Sequence, residues 1–205
     1  MGLYHRTILP GAMDSTCRKE SIMQQRMKVI PHAYGTVLEV GIGSGLNLPF
    51  YSKEHVKHLT AIDPSEENWN KNTVDIQRLP FDFEFIKASG ESIPVDNNSC
   101  DSVVITYTLC TIPDFRKALS EIGRVLKNGG KLLFCEHGKA PERAVRICQN
   151  LVNPFWKCVG GGCNLNRGIP LIIEEGGFRI VRLEAMYIHG WKPGGYNYWG
   201  EAEIY

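Results

Sequence analysis

Residues Thr36-Val37-Leu38-Glu39-Val40-Gly41-Ile42-Gly43-Ser44-Gly45 constrain the fold more than any other stretch of the chain. A β-branched and aliphatic run carrying an acid breaks into glycines at alternate positions and resumes in a segment that can open a helix. That is the pattern of a buried strand, a tight turn and a helix N-terminus. Without a Cβ, glycine lets the backbone turn sharply and come close to a ligand. The turn is nucleotide-sized, and its spacing argues against two common site types. Leu46 and Asn47 follow Gly45 where a phosphate-cradling loop needs lysine and a hydroxyl residue, and the third glycine comes two positions after the second, where a dinucleotide fingerprint needs three. Glu39, two positions before the first glycine, repels a pyrophosphate but suits a ligand carrying an ammonium or sulfonium group.

A chain of 205 residues, 43% of them hydrophobic, is long enough for one domain with a full core, and residues 1–205 are read as one. The 23 basic and 22 acidic residues leave a net charge of +1, with neither a basic stripe for nucleic acid nor a charged tail. No apolar run is long enough to span a bilayer and Met1 to Pro10 lacks the apolar core of a secretory signal, so the expectation is a cytoplasmic protein. The seven cysteines are odd in number and lack paired C-x-x-C spacing, which fits reduced, mostly buried thiols. Cys158 and Cys163 are the only pair close enough in sequence to cooperate, and no metal is expected, since a structural zinc takes four ligands.

In chain order, Leu9-Pro10-Gly11 reads as a break and Ser15 to Ile30 as a helix closed by Pro31. Its apolar positions give either plain packing or a lid, and residues 1–35 are taken as an N-terminal helical lid. Strand one is 36–40, followed by a helix from Gly45 to Tyr51. Strand two, 57–62, ends at Asp63, 24 residues after Glu39. In an open parallel sheet these strand ends line the ligand crevice, where a carboxylate can accept both hydroxyls of a ribose; an N-cap is the plainer role. A helix from Ser65 to Leu79 leads to strand three, 82–87, and then to the polar turn Ser89-Gly90-Glu91. Strand four, 101–106, ends at Thr106-Tyr107. Asp114 caps a helix with Phe115, Ala118, Leu119, Ile122, Val125 and Leu126 on its apolar face, stopped by Gly129-Gly130. Strand five, 131–135, leads into Glu136-His137. Beyond a helix at 141–152, the aromatic and glycine mixture of 153–164 suits either an apolar pocket or a buried loop. A helix at 167–175 and two antiparallel strands joined by Pro193-Gly194-Gly195 close the chain.

The run E-x-G-x-G-x-G resembles motif I of class I S-adenosylmethionine-dependent methyltransferases. D-x-V-V-I at 101–105 resembles motif IV, and R-V-L-K-N-G-G-K-L at 124–132 resembles the helix and turn that follow it in the same superfamily. Residues 34–136 look like the ubiquinone and menaquinone biosynthesis enzymes. L-E-V-G-x-G-S-G-x-N, A-I-D-P-S, L-C-T-I, F-x-E-H, N-P-x-W and G-G-C-N-L-x-R extend the likeness to the small alkyl thiol methyltransferases and their bacterial cousins. The resemblance implies an α/β Rossmann-like class I sheet of seven strands, six parallel and one antiparallel, with helices on both faces, and a substrate-cap insertion at 138–168. It implies S-adenosylmethionine as cofactor and S-adenosylhomocysteine as product. By the same resemblance Glu39, Gly41, Gly43, Gly45, Asp63, Ser89, Gly90, Glu91 and Thr106 form the cofactor site, with Ser89 where many relatives carry an adenine-binding acid. The membrane anchor that begins the animal members is not matched, which implies a soluble enzyme.

The expected reaction is in-line displacement at the sulfonium methyl by a small-molecule or lipid-like acceptor, possibly a thiol, in which the enzyme chiefly aligns the two groups. A thiol, with an unperturbed pKa of about 8.5, needs little help from a base, whereas carbon and oxygen acceptors need more. His137 is the candidate base or substrate orienter, with a hydrogen-bonded structural histidine as the rival role, and Tyr107 the candidate wall of the methyl channel. Cys110 and Cys163 are not expected as nucleophiles, since the mechanism needs no covalent intermediate. A nicotinamide oxidoreductase lacks its fingerprint here. The remaining alternative is a catalytically inactive cofactor-binding or protein-interaction module of the same fold. Neither the acceptor atom nor the oligomeric state follows from the sequence.

Overall fold

The computed structural model describes residues 9–205, with Leu9, Pro10, Ala12 and Met13 by backbone alone. Its centre is one seven-stranded sheet in the order β3-β2-β1-β4-β5-β7-β6. These strands are β1 (Gly35–Val40), β2 (Val56–Asp63), β3 (Asp82–Lys87), β4 (Cys100–Thr106), β5 (Leu126–His137), β6 (Phe178–Tyr187) and β7 (Tyr196–Ile204). The first five pair in parallel, and β7 runs antiparallel to both β5 and β6. Six strands therefore point one way and one is reversed, the class expected from the sequence.

Central strands read as apolar runs because the sheet is covered on both faces. The pleat sends Leu38, Val40, Val103, Ile105, Leu132 and Phe134 to one face, where they pack against Leu119, Ile122, Ile169, Ile173 and Phe178. It sends Val37, Leu59, Ala61, Val104, Leu133 and Cys135 to the other, against Val29, Ile30, Leu48 and Tyr51. On the first face lie α4 (Phe115–Val125), capped by Asp114 accepting from the Lys117 amide at 3.0 Å, and α6 (Ile169–Glu175). The Arg116–Glu175 pair between them is solvent-exposed and contributes under about 1 kcal/mol. Each fully buried Leu119 or Ile122 contributes about 1.5–3 kcal/mol, so packing rather than charge joins these helices.

Several helices depart from expectation. The segment before β1 is not one helix over 15–30 but α1 (Leu9–Cys17) and α2 (Glu20–Arg26), and Leu9-Pro10-Gly11 opens α1 instead of breaking the chain. The first eight residues of the expected lid lie outside those described. After the glycine turn there is no α-helix to Tyr51, only turns and a 3-10 segment, Leu48–Phe50, with Pro49 inside it. The helix expected over 65–79 stops as α3 (Glu66–Trp69), because Asn72 accepts from the Val74 amide and donates to the Val74 carbonyl, closing a local turn instead. Conversely, α5 (Arg143–Val159) continues past Val152 and through Pro154. The alternation along β6 does not make it half-buried: Val181 and Leu183 are exposed on a sheet edge. Among the described residues no helix is long and apolar enough to cross a membrane.

Gln149, fully buried on α5, ties the final third of the chain together. Its amide oxygen accepts from the Ala140 N–H at 3.0 Å and its amide nitrogen shares its two hydrogens among the carbonyls of Gly138, Leu165 and Pro193, each at 2.9–3.0 Å. Gln149→Leu keeps the volume but strands those four backbone groups. It is expected to cost about 2–4 kcal/mol in chemical denaturation, and an unchanged midpoint would remove this residue's bridging role.

Candidate active site

A cleft of about 330 Å³ opens at the carboxyl ends of β1, β2 and β4. The glycine turn forms its rim, with φ of +78° at Gly41, +57° at Gly43 and +76° at Gly45, values that L side chains rarely adopt. A Cβ at Gly41 would meet the Thr108 hydroxyl at 2.3 Å, so this glycine is needed for close packing. A Cβ at Gly43 would meet nothing within 4 Å, so this glycine borders open cleft. The turn is held to the neighbouring strand: the Gly41 N–H donates to the Ile62 carbonyl at 2.8 Å, and the Gly43 N–H to Asp63 Oδ2 at 2.9 Å.

Asp63 lines the cleft, its other oxygen accepting from the Ser65 N–H at 2.8 Å. Burial raises its pKa above the ordinary carboxylate value against the opposing pull of those two amides. Ser89 and Gly90 form the far wall. Glu91 does not line the cleft; its carboxylate accepts from the Ser89 hydroxyl at 3.2 Å and from the Asp114 N–H at 2.7 Å, bracing the wall from behind.

Glu39 is also not in the cleft lining. The pleat turns it toward Tyr51, whose hydroxyl donates to Oε2 at 2.7 Å, while Asn47 donates to Oε1 at 2.8 Å. Asn47 in turn accepts from Arg26 Nη1 at 2.8 Å, and Thr106 Oγ1 accepts from both Arg26 and Asn47, at 2.6 and 2.9 Å. Thr106 and Arg26 do line the cleft, so Glu39 is linked to the lining through Asn47 alone. Tyr107 lies beside them at φ +51°, a strained conformation of the kind concentrated at functional sites. It is fixed by its hydroxyl donating to Asn197 at 2.7 Å and by the Arg26 guanidinium 5.0 Å from its ring centroid. Burial pushes its phenol well above the ordinary value. His137 stands behind it, ring centroids 6.4 Å apart, outside the cleft lining, with Nε2 3.1 Å from Cys163 Sγ. Burial alone would lower the imidazole pKa; the Cys163 sulfur and the Glu136 carboxylate outweigh it and leave it raised.

Sequence reasoning missed the residues that the leading helices and α3 region bring to the cleft: Asp14 and Cys17 from α1, Arg26 from α2, and Lys71. The Ser44 hydroxyl and the Arg18 guanidinium both donate to Asp14, outweighing burial and holding its carboxyl below the ordinary range. Arg26 Nε and Lys71 Nζ are buried without a hydrogen-bond partner. A basic residue among the polar and apolar positions of a leading helix carries no motif, and nothing in its spacing marks it.

These features fit a ligand with a ribose and both charges of an amino acid. There is a carboxylate at the end of β2, open volume over Gly43, and cationic nitrogens with bonding capacity to spare. The methyltransferase domain family matches residues 38–134. The chain is 36% identical over 163 residues to the thiol S-methyltransferase TMT1B of Rattus norvegicus, covering 77% of this chain and only 63% of that protein's length. It is 34% identical over 185 residues to the ubiquinone/menaquinone biosynthesis C-methyltransferase UbiE of Rickettsia prowazekii, covering 82% of this chain and 72% of that protein. A SAM-dependent methyltransferase from Aquifex aeolicus shares the fold, with a TM-score of 0.64 at 23% identity over 96% of this chain and 98% of the other.

The two glycine positions predict different losses. Gly43→Ala should cost about 1–2 kcal/mol of stability through backbone strain and also weaken ligand binding. Gly41→Ala should lose clearly more stability, because its Cβ also meets Thr108. Thermal unfolding of the two variants side by side checks the order, and equal losses would contradict it.

Proposed function

The chain belongs to the methyltransferase domain family, and on that premise we propose that it moves a methyl group from S-adenosylmethionine to the sulfur of a small thiol. The cofactor is the one this family uses, and its sulfonium supplies an already activated methyl for in-line displacement. In this reading Asp63 accepts the ribose hydroxyls, the backbone of Gly43 and Ser44 lies against the cofactor, and Ser89 and Gly90 border the adenine. Arg26 and Lys71 offer their unpartnered nitrogens to anionic groups. Tyr107, Ile112, Pro113 and Cys17 supply the less polar wall for an acceptor. The leading helices act as the cover of the cleft and the 138–168 insertion as a substrate cap, a reading supported by Asp14, Cys17, Gly160 and Gly161 in the lining.

One observation carries the choice of a thiol. The cleft places two buried cations where an anion would sit, and its described lining includes no histidine. Such a site stabilises an acceptor that brings its own negative charge, and a thiol ionises at about pH 8.5 without a dedicated base. Tyr107 is unsuited to be that base, with its hydroxyl already donated to Asn197 and its pKa raised by burial. The thiol S-methyltransferase activity named for the rat relative agrees with this assignment. Incubation with labelled S-adenosylmethionine and either a short alkyl thiol or a quinol precursor tests it. S-methylation of the thiol is expected, and methylation of the quinol with none of the thiol would overturn the assignment.

Cofactor affinity should depend on pH through Asp63. Its raised pKa means that the ionised form needed to accept ribose hydroxyls is lost at a higher pH than for an ordinary aspartate, so affinity falls as the solution is acidified through that value and is level above it. Asp63→Asn keeps the size of the side chain and removes the charge, and its single amide oxygen can accept from only one of the Gly43 and Ser65 amides. It should bind S-adenosylmethionine on the order of 10- to 100-fold more weakly, with the acid dependence flattened. Calorimetric titration at several pH values measures both, and wild-type affinity in the variant would remove the ribose assignment.

A further inference from the structure

Three soft donors from three separate parts of the chain meet beside the cleft wall. Cys110 lies in the loop after β4, His137 ends β5, and Cys163 lies in the glycine-rich turn after α5. Their donor atoms all fall within 4.8 Å of one another. Cys110 Sγ and Cys163 Sγ are 3.8 Å apart, and His137 Nε2 is 3.1 Å from Cys163 Sγ. In a tetrahedral site with Zn–S near 2.3 Å and Zn–N near 2.0–2.1 Å, two sulfurs lie about 3.8 Å apart and a sulfur and a nitrogen about 3.6 Å. The sulfurs already stand at that spacing; the imidazole nitrogen is about 0.5 Å too close to Cys163 and lies within 4.8 Å of Cys110, so it reaches the site by moving off the one sulfur to a position shared by both.

The surroundings hold the donors in place independently of any ion. The Glu136 carboxylate, fully buried, accepts from the backbone N–H groups of Thr108, Leu109 and Cys110 at 2.7, 2.8 and 3.3 Å, which fixes the loop bearing Cys110. Asn164 donates through both its backbone and its side-chain nitrogen to the Cys110 carbonyl, each at 3.0 Å, which fixes the turn bearing Cys163 against that loop. The charges also balance. Arg167 donates to the Leu109 carbonyl and acts electrostatically on Cys110, Cys163 and Glu136. Two thiolates and Glu136 carry three negative charges; a divalent ion and Arg167 carry three positive, so a metal can replace the two thiol protons without leaving net charge in the interior.

We propose that Cys110, His137 and Cys163 form a zinc site with two sulfur ligands and one nitrogen ligand, leaving one coordination position for an exchangeable ligand. Thiolate and imidazole select zinc over the hard cations magnesium and calcium. Three protein ligands with an open fourth position is the arrangement of reactive rather than purely structural zinc. The site lies next to the cleft wall: Tyr107 stacks on His137, and Thr111 and Gly161, which line the cleft, are one residue from Cys110 and two from Cys163. An ion there ties the loop after β4 to the 138–168 insertion.

The test uses untagged protein expressed with zinc supplementation and purified without chelator. Stoichiometric zinc by elemental analysis is expected. So are thiolate-to-metal charge-transfer bands when chelator-treated protein is titrated with cobalt(II), and a lower melting temperature after chelation. Cys110→Ser and Cys163→Ser should each lose the bands, whereas Cys158→Ser, at an exposed position, should keep them. Titration of the wild-type chain stands on its own should a cysteine variant misfold. Metal-free protein that gives no cobalt bands, zinc retained at full stoichiometry in Cys163→Ser, or a Cys110–Cys163 disulfide in the protein as isolated would each overturn the site. None of these readouts involves methyl transfer, so failure here is distinct from failure of the thiol assignment.

Discussion

Three carboxylates are buried at the carboxyl ends of parallel strands, and the cleft depends on how each is satisfied. Asp63 is the last residue of β2 and Glu39 and Glu136 are the last but one of β1 and β5; Glu39, Asp63 and Glu136 have 1%, 7% and 0% of their surface exposed. Leaving a buried polar group without its partner costs about 1–3 kcal/mol, and more for a charged one, so each acid organises what lies around it. Asp63 draws in the Gly43 amide and seats the glycine turn. Glu136 draws in three consecutive amides and shapes the loop that follows Tyr107. Glu39 draws in Asn47 and Tyr51 and turns the chain back after the glycines. Burial raises the pKa of all three, and only Asp63 keeps a face toward the cleft.

The strands were legible because their pattern has one dominant cause. A strand covered on both faces is predominantly apolar, and Leu38–Val40, Leu59–Ile62 and Val103–Ile105, interrupted only by Glu39 and Thr60, carry that signal without reference to their neighbours. The helices between them were not legible to the same degree, because short side chains compete locally for the backbone. Asn72 closes its own turn with Val74, and Pro49 sits in the short 3-10 segment that stands where a helix was expected. Pro154 misleads in the opposite direction, since α5 runs through it.

The candidate site divides along the same line. Gly41 and Gly43 in the turn after β1 and Asp63 at the end of the neighbouring β2 stand at spacings fixed by the fold, so a motif can find them, and all three line the cleft, whereas Gly45 of the same motif does not. Glu39 belongs to the same motif, but pleat alternation points it at Tyr51, and only the three-dimensional path shows that it reaches the cleft through Asn47, Thr106 and Arg26. Arg26 and Lys71 arrive from elements whose sequence carries no signature. Cys110 and Cys163 are 53 positions apart, so no spacing rule joins them, whereas the nearer pair Cys158 and Cys163 is divided between an exposed and a buried position.

The Arg26 network also decides how firmly the leading segment is attached. Arg26 is 6% exposed and bonded to Thr106 and to Asn47, which in turn donates to Glu39. Withdrawing α2 would leave the Asn47 side-chain oxygen without its donor, take one of two donors from Thr106 Oγ1 and remove the Arg26 charge from near Glu39; an unsatisfied buried acceptor alone costs about 1–3 kcal/mol. The contacts of α1 are less buried, with Asp14 held by Arg18 and Ser44 near the surface of the cleft. The helix breaks between these two regimes, at Arg18 and Lys19. The energetics therefore separate the leading segment into a firmly held part, which places the Arg26 guanidinium in the cleft lining, and a lightly held part beside the glycine turn.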